Sequence, residues 1–380
     1  MPSSTNPMIS SPNKLKIGLF GLTLIPVQTL VPELYQPTWK NALEVGQMAD
    51  RIGLEVILPP ARFKGYLDHR FDHQTNDILD VFTFAAAMAQ ATSYSSVVTT
   101  TFAPMVHPAM LAKQTATLDQ IAGGRYALNI VGGWNRREFE VFGLDLLAHD
   151  ERYAYLEEWL DVLRKLWTEK DDFDFAGKYL TLKGAISRPQ PIQVPGIPVI
   201  NAGMSAVGAD FAARNADVGF IVLQGTNVDA WTRQVSDLKA LARSYGREIK
   251  IWTTTSVTIR DTDVEARDYE DYFSVQMLDG EAVDSMMEGF VNEAGLKPGT
   301  PKYEAMQRTM VSGGGYGIVG SPETVAREMA AISEAGVDGI VLKSVDFLDT
   351  LGRMERQVLP ILEGAGVRVP FGDILASRAA

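Results

Sequence analysis

The feature that most constrains this chain is a cycle repeated eight times: a short β-branched or apolar run, then a longer helical stretch. The runs are Lys16–Phe20, Leu54–Leu58, Ser95–Thr101, Tyr126–Val131, Ile197–Asn201, Val218–Leu223, Ile249–Ile259 and Gly339–Leu342. The helical stretches are Trp39–Ile52, Ile78–Ala91, Pro108–Ile121, Glu151–Thr168, Ser205–Asn215, Asp229–Tyr245, the segment from Asp263 onward, and Leu348–Leu362. Such alternation demands a parallel sheet with right-handed crossovers, because each helix must return the chain to the same edge. Eight units without a second zone of composition favour closure into an α/β fold, the (β/α)8 TIM barrel, as one domain over residues 15–365.

Two segments interrupt the cycle. Residues 171–195 carry aromatic alternation around a glycine turn and are expected to form an inserted hairpin. Residues 280–320, between the seventh and eighth strands, are rich in Gly, Met and Glu, and their length suits a mobile lid. Residues 1–14, rich in Ser, Pro and Asn, are expected to be a frayed tail, and 366–380 a second one.

Composition narrows the function. The formal charge of -12 disfavours nucleic acid and anionic lipid as partners. With no cysteine, disulfides, thiolate catalysis and thiolate metal sites are excluded. No apolar run reaches membrane-spanning length and the first residues lack the apolar core of a signal peptide, so a cytoplasmic enzyme is expected.

In a barrel of this kind the chemistry lies at the carboxyl ends of the strands. Those ends carry Ala61-Arg62, Thr100, Asn129 with Gly132-Gly133-Trp134, and Asn201-Ala202-Gly203-Met204-Ser205. In the last of these, Gly203 permits close approach of backbone and Ser205 can cap the helix that follows; free N–H groups there favour a phosphate, although a plain capped helix reads the same way. Asn129 offers an amide to the polar edge of a planar heterocycle, and Trp134 is either its packing partner or a core anchor. Arg152 and Tyr153, at a helix start, can share an anionic group such as a phosphate.

Other signals carry less. Gly315–Gly320 matches the dinucleotide glycine pattern, yet no apolar run leads into it and Ser321-Pro322 restarts the chain as an ordinary helix cap. His69 and His73, with Asp68 and Asp72, have a metal-pair spacing but sit in a stretch without helical periodicity, where a solvated loop is expected. The Gly-x-Ser-x-Gly elbow of serine hydrolases is absent.

The ordered set His107-Pro108, Ala112-Lys113, Ala116-Thr117-Leu118-Asp119, Gly123-Gly124-Arg125 and Asn129-Ile130-Val131-Gly132-Gly133-Trp134, with Glu138 four residues on, resembles the bacterial-luciferase-like flavin monooxygenases. Asp150–Tyr153 and Ala202-Gly203-x-Ser205 follow at the family's spacing. The likeness runs from about residue 15 to 362 and is greatest to the two-component, FMN-dependent branch that oxidises sulfones, pyrimidines and alkanesulfonates. It implies that Ala61, Arg62, Asn129, Glu138, Arg152, Tyr153 and Ser205 contact FMN, with Ala202 and Gly203 in the same turn. It places Thr100 and Asn129 beside the flavin N5 and the bound oxygen, and Arg62 where developing negative charge needs a cation.

The same resemblance implies FMNH2 as cofactor and O2 as co-substrate, one oxygen atom entering a small organic molecule by way of a flavin peroxide. It further implies a separate NAD(P)H-dependent flavin reductase and a homo-oligomer, dimer or tetramer. The Phe82–Met88 stretch is a candidate face for pairing, or else packs within the chain. Two alternatives share the barrel: an F420-dependent dehydrogenase and a non-catalytic flavin-binding relative.

Overall fold

The computed structural model describes residues 6–68, 70–223, 227–294, 297 and 299–379. Eight parallel strands close on themselves: β1 (Lys16–Phe20), β2 (Val56–Leu58), β3 (Ser96–Phe102), β4 (Tyr126–Val131), β5 (Val199–Asn201), β6 (Val218–Ile221), β7 (Lys250–Ile259) and β8 (Gly339–Lys343). Each pairs with its successor, and β8 returns to β1 with Leu19 opposite Leu342. The expected TIM barrel is therefore the fold, with strand edges within about two residues of the sequence reading.

The two-residue period of a strand divides its side chains between two cores. Val97 and Leu128 point outward and join the large core under the helices. Val56, Val98, Ala127, Val218, Trp252 and Val341 point inward and fill the barrel. Counting on by two from these inward residues leads to Leu58, Thr100, Asn129, Phe220 and Lys343 at the open end.

Helices start and stop where local chemistry directs. Pro108 opens the helix Pro108–Ile121 behind His107, whose ring accepts from the Ala109 N–H, and Gly123 and Gly124 follow with φ of +61° and +81°. The helix Val81–Ala91 buries Val81, Phe84, Ala85, Met88 and Ala89 against its own chain, so its apolar face is internal packing. The closing helix is broken into Phe347–Arg353, a wide turn over Met354–Val358, and Leu359–Gly364, because Pro360 has no N–H to give to the regular ladder. No helix among the described residues is long and apolar enough to cross a membrane.

The two ends of the chain differ from the expectation of frayed tails. From residue 6 onward the N-terminal segment plugs the barrel floor: Pro7–Ser10 is a short helix, Met8 is buried, and Asn6 donates to Tyr126 O at 3.0 Å. Residues 1–5 lie outside the described residues. At the other end Arg368 is buried on Glu55, and the helix Phe371–Ala379 lays the Phe371 ring against Tyr94.

The insertions differ from one another. The first is the expected antiparallel hairpin, Phe173–Ala176 with Thr181–Ala185. The second forms helices Gly280–Ala294 and Pro301–Val311, and then a ninth strand, Tyr316–Gly320. That strand lies parallel to the outer half of β7, Tyr316 opposite Thr255 and Gly320 opposite Ile259. Of the glycines in the dinucleotide-like pattern, Gly315 precedes this strand, Gly317 lies within it and Gly320 ends it, so they do not gather in one loop between a strand and a helix.

Candidate active site

A cavity of about 280 Å3 occupies the open end of the barrel. Its walls include the inward residues Phe20, Leu58, Thr100, Asn129, Phe220 and Lys343, and it is mostly apolar. Ala61, Arg62 and Ala202, all expected at the site, line it too, as does Trp134, whose half-exposed ring stands at the mouth rather than in the core.

Asn129 is held by Thr100. The amide Nδ2 donates to Thr100 Oγ1 at 3.1 Å, and the hydroxyl passes its own proton to Pro59 O, also at 3.1 Å. The proton of Thr100 is therefore committed, while Asn129 Oδ1 is buried with no partner. A lone buried acceptor of this kind costs free energy unless something arrives to donate to it.

Arg62 stands on the neighbouring wall. Its Nη2 donates to Tyr66 Oη at 2.8 Å, and its guanidinium lies 4.9 Å from the ring centres of both Tyr66 and Trp134. Below it the fully buried Glu138 brings Oε1 to 3.6 Å from Nη1 and accepts the Phe63 N–H at 3.1 Å. Burial pushes the Glu138 carboxyl above the usual carboxylate range, and the Arg62 charge opposes that rise. Glu138 thus lies beneath the cavity wall, one layer back from the space itself.

The remaining expected residues gather on a second ledge beside Ala202. Asn201 fixes the turn by donating to Ile130 O at 2.8 Å and accepting the Gly203 N–H at 3.0 Å. Ser205 caps the helix Ala206–Asn215 by accepting from the Gly208 N–H at 3.1 Å. Gly203 touches the Gly208 backbone so closely that a side chain there would collide with it. Tyr153 lays its hydroxyl against Gly208 beside Ser205, and burial pushes that phenol up. Arg152 donates to Gly133 O, leaving Nε buried and unpartnered. A ring-sized apolar cavity therefore adjoins a helix N-terminus carrying a hydroxyl, a phenol and a guanidinium, which is an arrangement suited to a phosphate.

The sequence profile described as luciferase-like monooxygenase matches residues 15–339. The chain belongs to that family. It is 31% identical over 324 residues to an FMNH2-dependent dimethylsulfone monooxygenase of Pseudomonas putida, covering 84% of this chain and 86% of that one. It is 28% identical over 354 residues to a pyrimidine monooxygenase of a Bradyrhizobium species, covering 90% and 95%. A solved riboflavin lyase shares the fold with a TM-score of 0.83 at 22% identity, over 94% of this chain and 93% of that one.

In this luciferase-like monooxygenase several cavity residues escaped the sequence reading. Leu24, Ile25, Pro26 and Gln28 come from the loop after β1, and Met286, Met310 and Gly313 from the second insertion. The insertion is seated on its own small core of Ile25, Val27, Val283, Met287 and Val311. It is tied down by Arg70–Glu281 and Arg137–Glu288, each at 2.8 Å. Lys343 had a readable signal: a lysine at the carboxyl end of an otherwise apolar barrel strand. Of the possible metal pair, His69 lies outside the described residues, and His73 meets Asp279 at 3.2 Å; no metal-binding cluster of three or more ligands occurs among the described residues.

Proposed function

We propose that this chain is the oxygenase of a two-component system, binding reduced FMN at the barrel mouth and placing one atom of O2 into a small organic substrate. The observation that carries the reading is the unpartnered Asn129 Oδ1 on the cavity wall. Reduced flavin presents an N–H at N5, the donor that this acceptor lacks. The kinship with an FMNH2-dependent monooxygenase supports the same cofactor.

When bound, reduced FMN supplies the electron pair with which one oxygen atom enters the substrate and the other leaves as water. The chain's own part is placement and charge. Thr100 positions Asn129, and Asn129 holds the flavin edge. Arg62, kept in place by Tyr66, Trp134 and Glu138, maintains a cation where negative charge develops. Ser205, Arg152 and Tyr153 hold the phosphate. The apolar wall of Phe20, Leu58, Phe220 and Met310 excludes water that would divert the oxidation. A separate flavin reductase supplies the reduced cofactor.

Anaerobic titration of the protein with FMNH2 and, separately, reduced F420, followed by admission of oxygen, tests the proposal. FMNH2 binds and oxygen is consumed. Tight binding of reduced F420 with no use of FMNH2 would replace the monooxygenase reading with a dehydrogenase.

A further inference from the structure

Of the ionisable groups that line the cavity, Arg62, Tyr66 and Lys343, the oxygenase chemistry above leaves only Lys343 without a task. It ends β8, which lies four strands from β4 in either direction around the eight-stranded barrel, so Lys343 and Asn129 face each other across the cavity. The side chain is 1% exposed. An ammonium has three N–H donors, and a single bond, to Gly314 O in the turn after the helix Pro301–Val311, accounts for one of them.

Among the described residues no carboxylate lines the cavity, and no ion pair joins Lys343 to an Asp or Glu. The other titratable groups on the wall are Arg62 and Tyr66, bonded to each other. The amine's remaining neighbours are the Phe20 ring, whose centre is 5.9 Å away, and the Gly313 backbone, with Met286, Met310, Leu24 and Phe220 completing this half of the wall. Burying a lysine here without a counter-ion costs stability, and burial alone pushes its amine down to about 7.

We infer that Lys343 anchors the substrate, and that the substrate is a small organic acid whose oxyanion head, carboxylate or sulfonate, sits on this amine with an apolar body along the methionine wall. The assignment rests on the monooxygenase reading of the cavity. The anion restores the charge that burial suppresses, so binding above neutral pH takes up a proton.

The test uses the full chain saturated anaerobically with reduced FMN and three probes of similar size: 1-butanesulfonate, butanoate and the uncharged diethyl sulfone. Calorimetric titration at pH 8 in two buffers of different ionisation heat gives affinity and proton uptake together. The expected result is that both anions bind the wild-type protein about tenfold or more tightly than the sulfone, with uptake approaching one proton. In Lys343→Met the anions lose that advantage and the uptake disappears, while FMN and sulfone affinities stay within about twofold, which also certifies the fold. Lys343→Arg keeps the anion preference without the uptake, because a guanidinium stays charged. Equal binding of anion and sulfone by the wild-type protein, or an anion preference that survives in Lys343→Met, overturns the assignment. Failure of the wild-type protein to bind reduced FMN, read before any probe is added, overturns the underlying reading instead.

Discussion

At the floor of the barrel the Glu55 carboxylate accepts from Ser11 Oγ at 2.9 Å, the Ile17 N–H at 2.8 Å and Arg368 Nη1 at 3.0 Å, so its charge is fully engaged. Asp50 nearby accepts three successive backbone N–H groups, from Ser93, Tyr94 and Ser95. Burial would raise the Asp50 carboxyl, but those bonds bring it below its ordinary value. At the mouth the pattern loosens: Asn129 Oδ1 is buried with no hydrogen-bond partner, Arg62 and Glu138 meet only at 3.6 Å, and Lys343 has no counter-ion among the described residues. The carboxylates at the floor are satisfied within the fold, whereas Asn129 and Lys343 at the mouth keep hydrogen-bonding capacity that the proposed ligands would use. The cost of leaving them open is borne by the packed end.

The contrast makes graded predictions. Arg368→Met strands the Glu55 charge and should cost about 3–5 kcal/mol in urea unfolding, with FMN affinity of the folded protein unchanged. A loss below about 1 kcal/mol would show that the floor is not what holds the barrel closed. Asn129→Ala should do the opposite, raising the barrier to oxygenation by about 2–4 kcal/mol in kcat while leaving stability within about 1 kcal/mol. Unaltered turnover would remove Asn129 from the cofactor's partners.

Lys343→Met should stabilise the protein at pH 7, read as a higher Tm. Because the folded amine titrates near about 7 against an ordinary 10.5, the wild-type protein gains stability as pH rises between those values. The variant's advantage is therefore greatest at and below pH 7 and fades toward pH 10.5. An advantage independent of pH would mean that the amine is not strained by burial. The smallest effect separates cap from phosphate: Ser205→Ala should lose about 1 kcal/mol of stability and weaken FMN binding. Ser205→Asp should keep the cap yet repel the phosphate, so stability and affinity part company. FMN binding unchanged in both variants would sever the ledge from the cofactor.

What the sequence revealed follows the same division. The barrel was legible because its strands are continuous β-branched or apolar runs that alternate with helical stretches, and the candidate site because Thr100 and Asn129 fall near the carboxyl ends of those runs, where the family resemblance gave them a role. The plugged floor was not, since it depends on contacts between distant positions: Asn6 with Gln193, and Arg368 with Glu55. Nothing local in a Ser/Pro/Asn-rich segment announces that Met8 will be buried. The ninth strand was hidden by Gly317 and Gly320, which give it almost no apolar signal although β7 supplies its pairing. Glu138 was legible only through the family resemblance, as a contact of FMN; the structure places it in the short helix Arg136–Val141, buried beneath Arg62 and not on the cavity wall.

The most direct measurement of the central claim is a crystal structure of the complex with reduced FMN, prepared anaerobically. With the flavin kept reduced, its ring should lie in the mouth with the N5–H donating to Asn129 Oδ1, and the phosphate should sit on the Ser205 ledge. A mouth that stays free of flavin, or a phosphate bound away from that ledge, would contradict it.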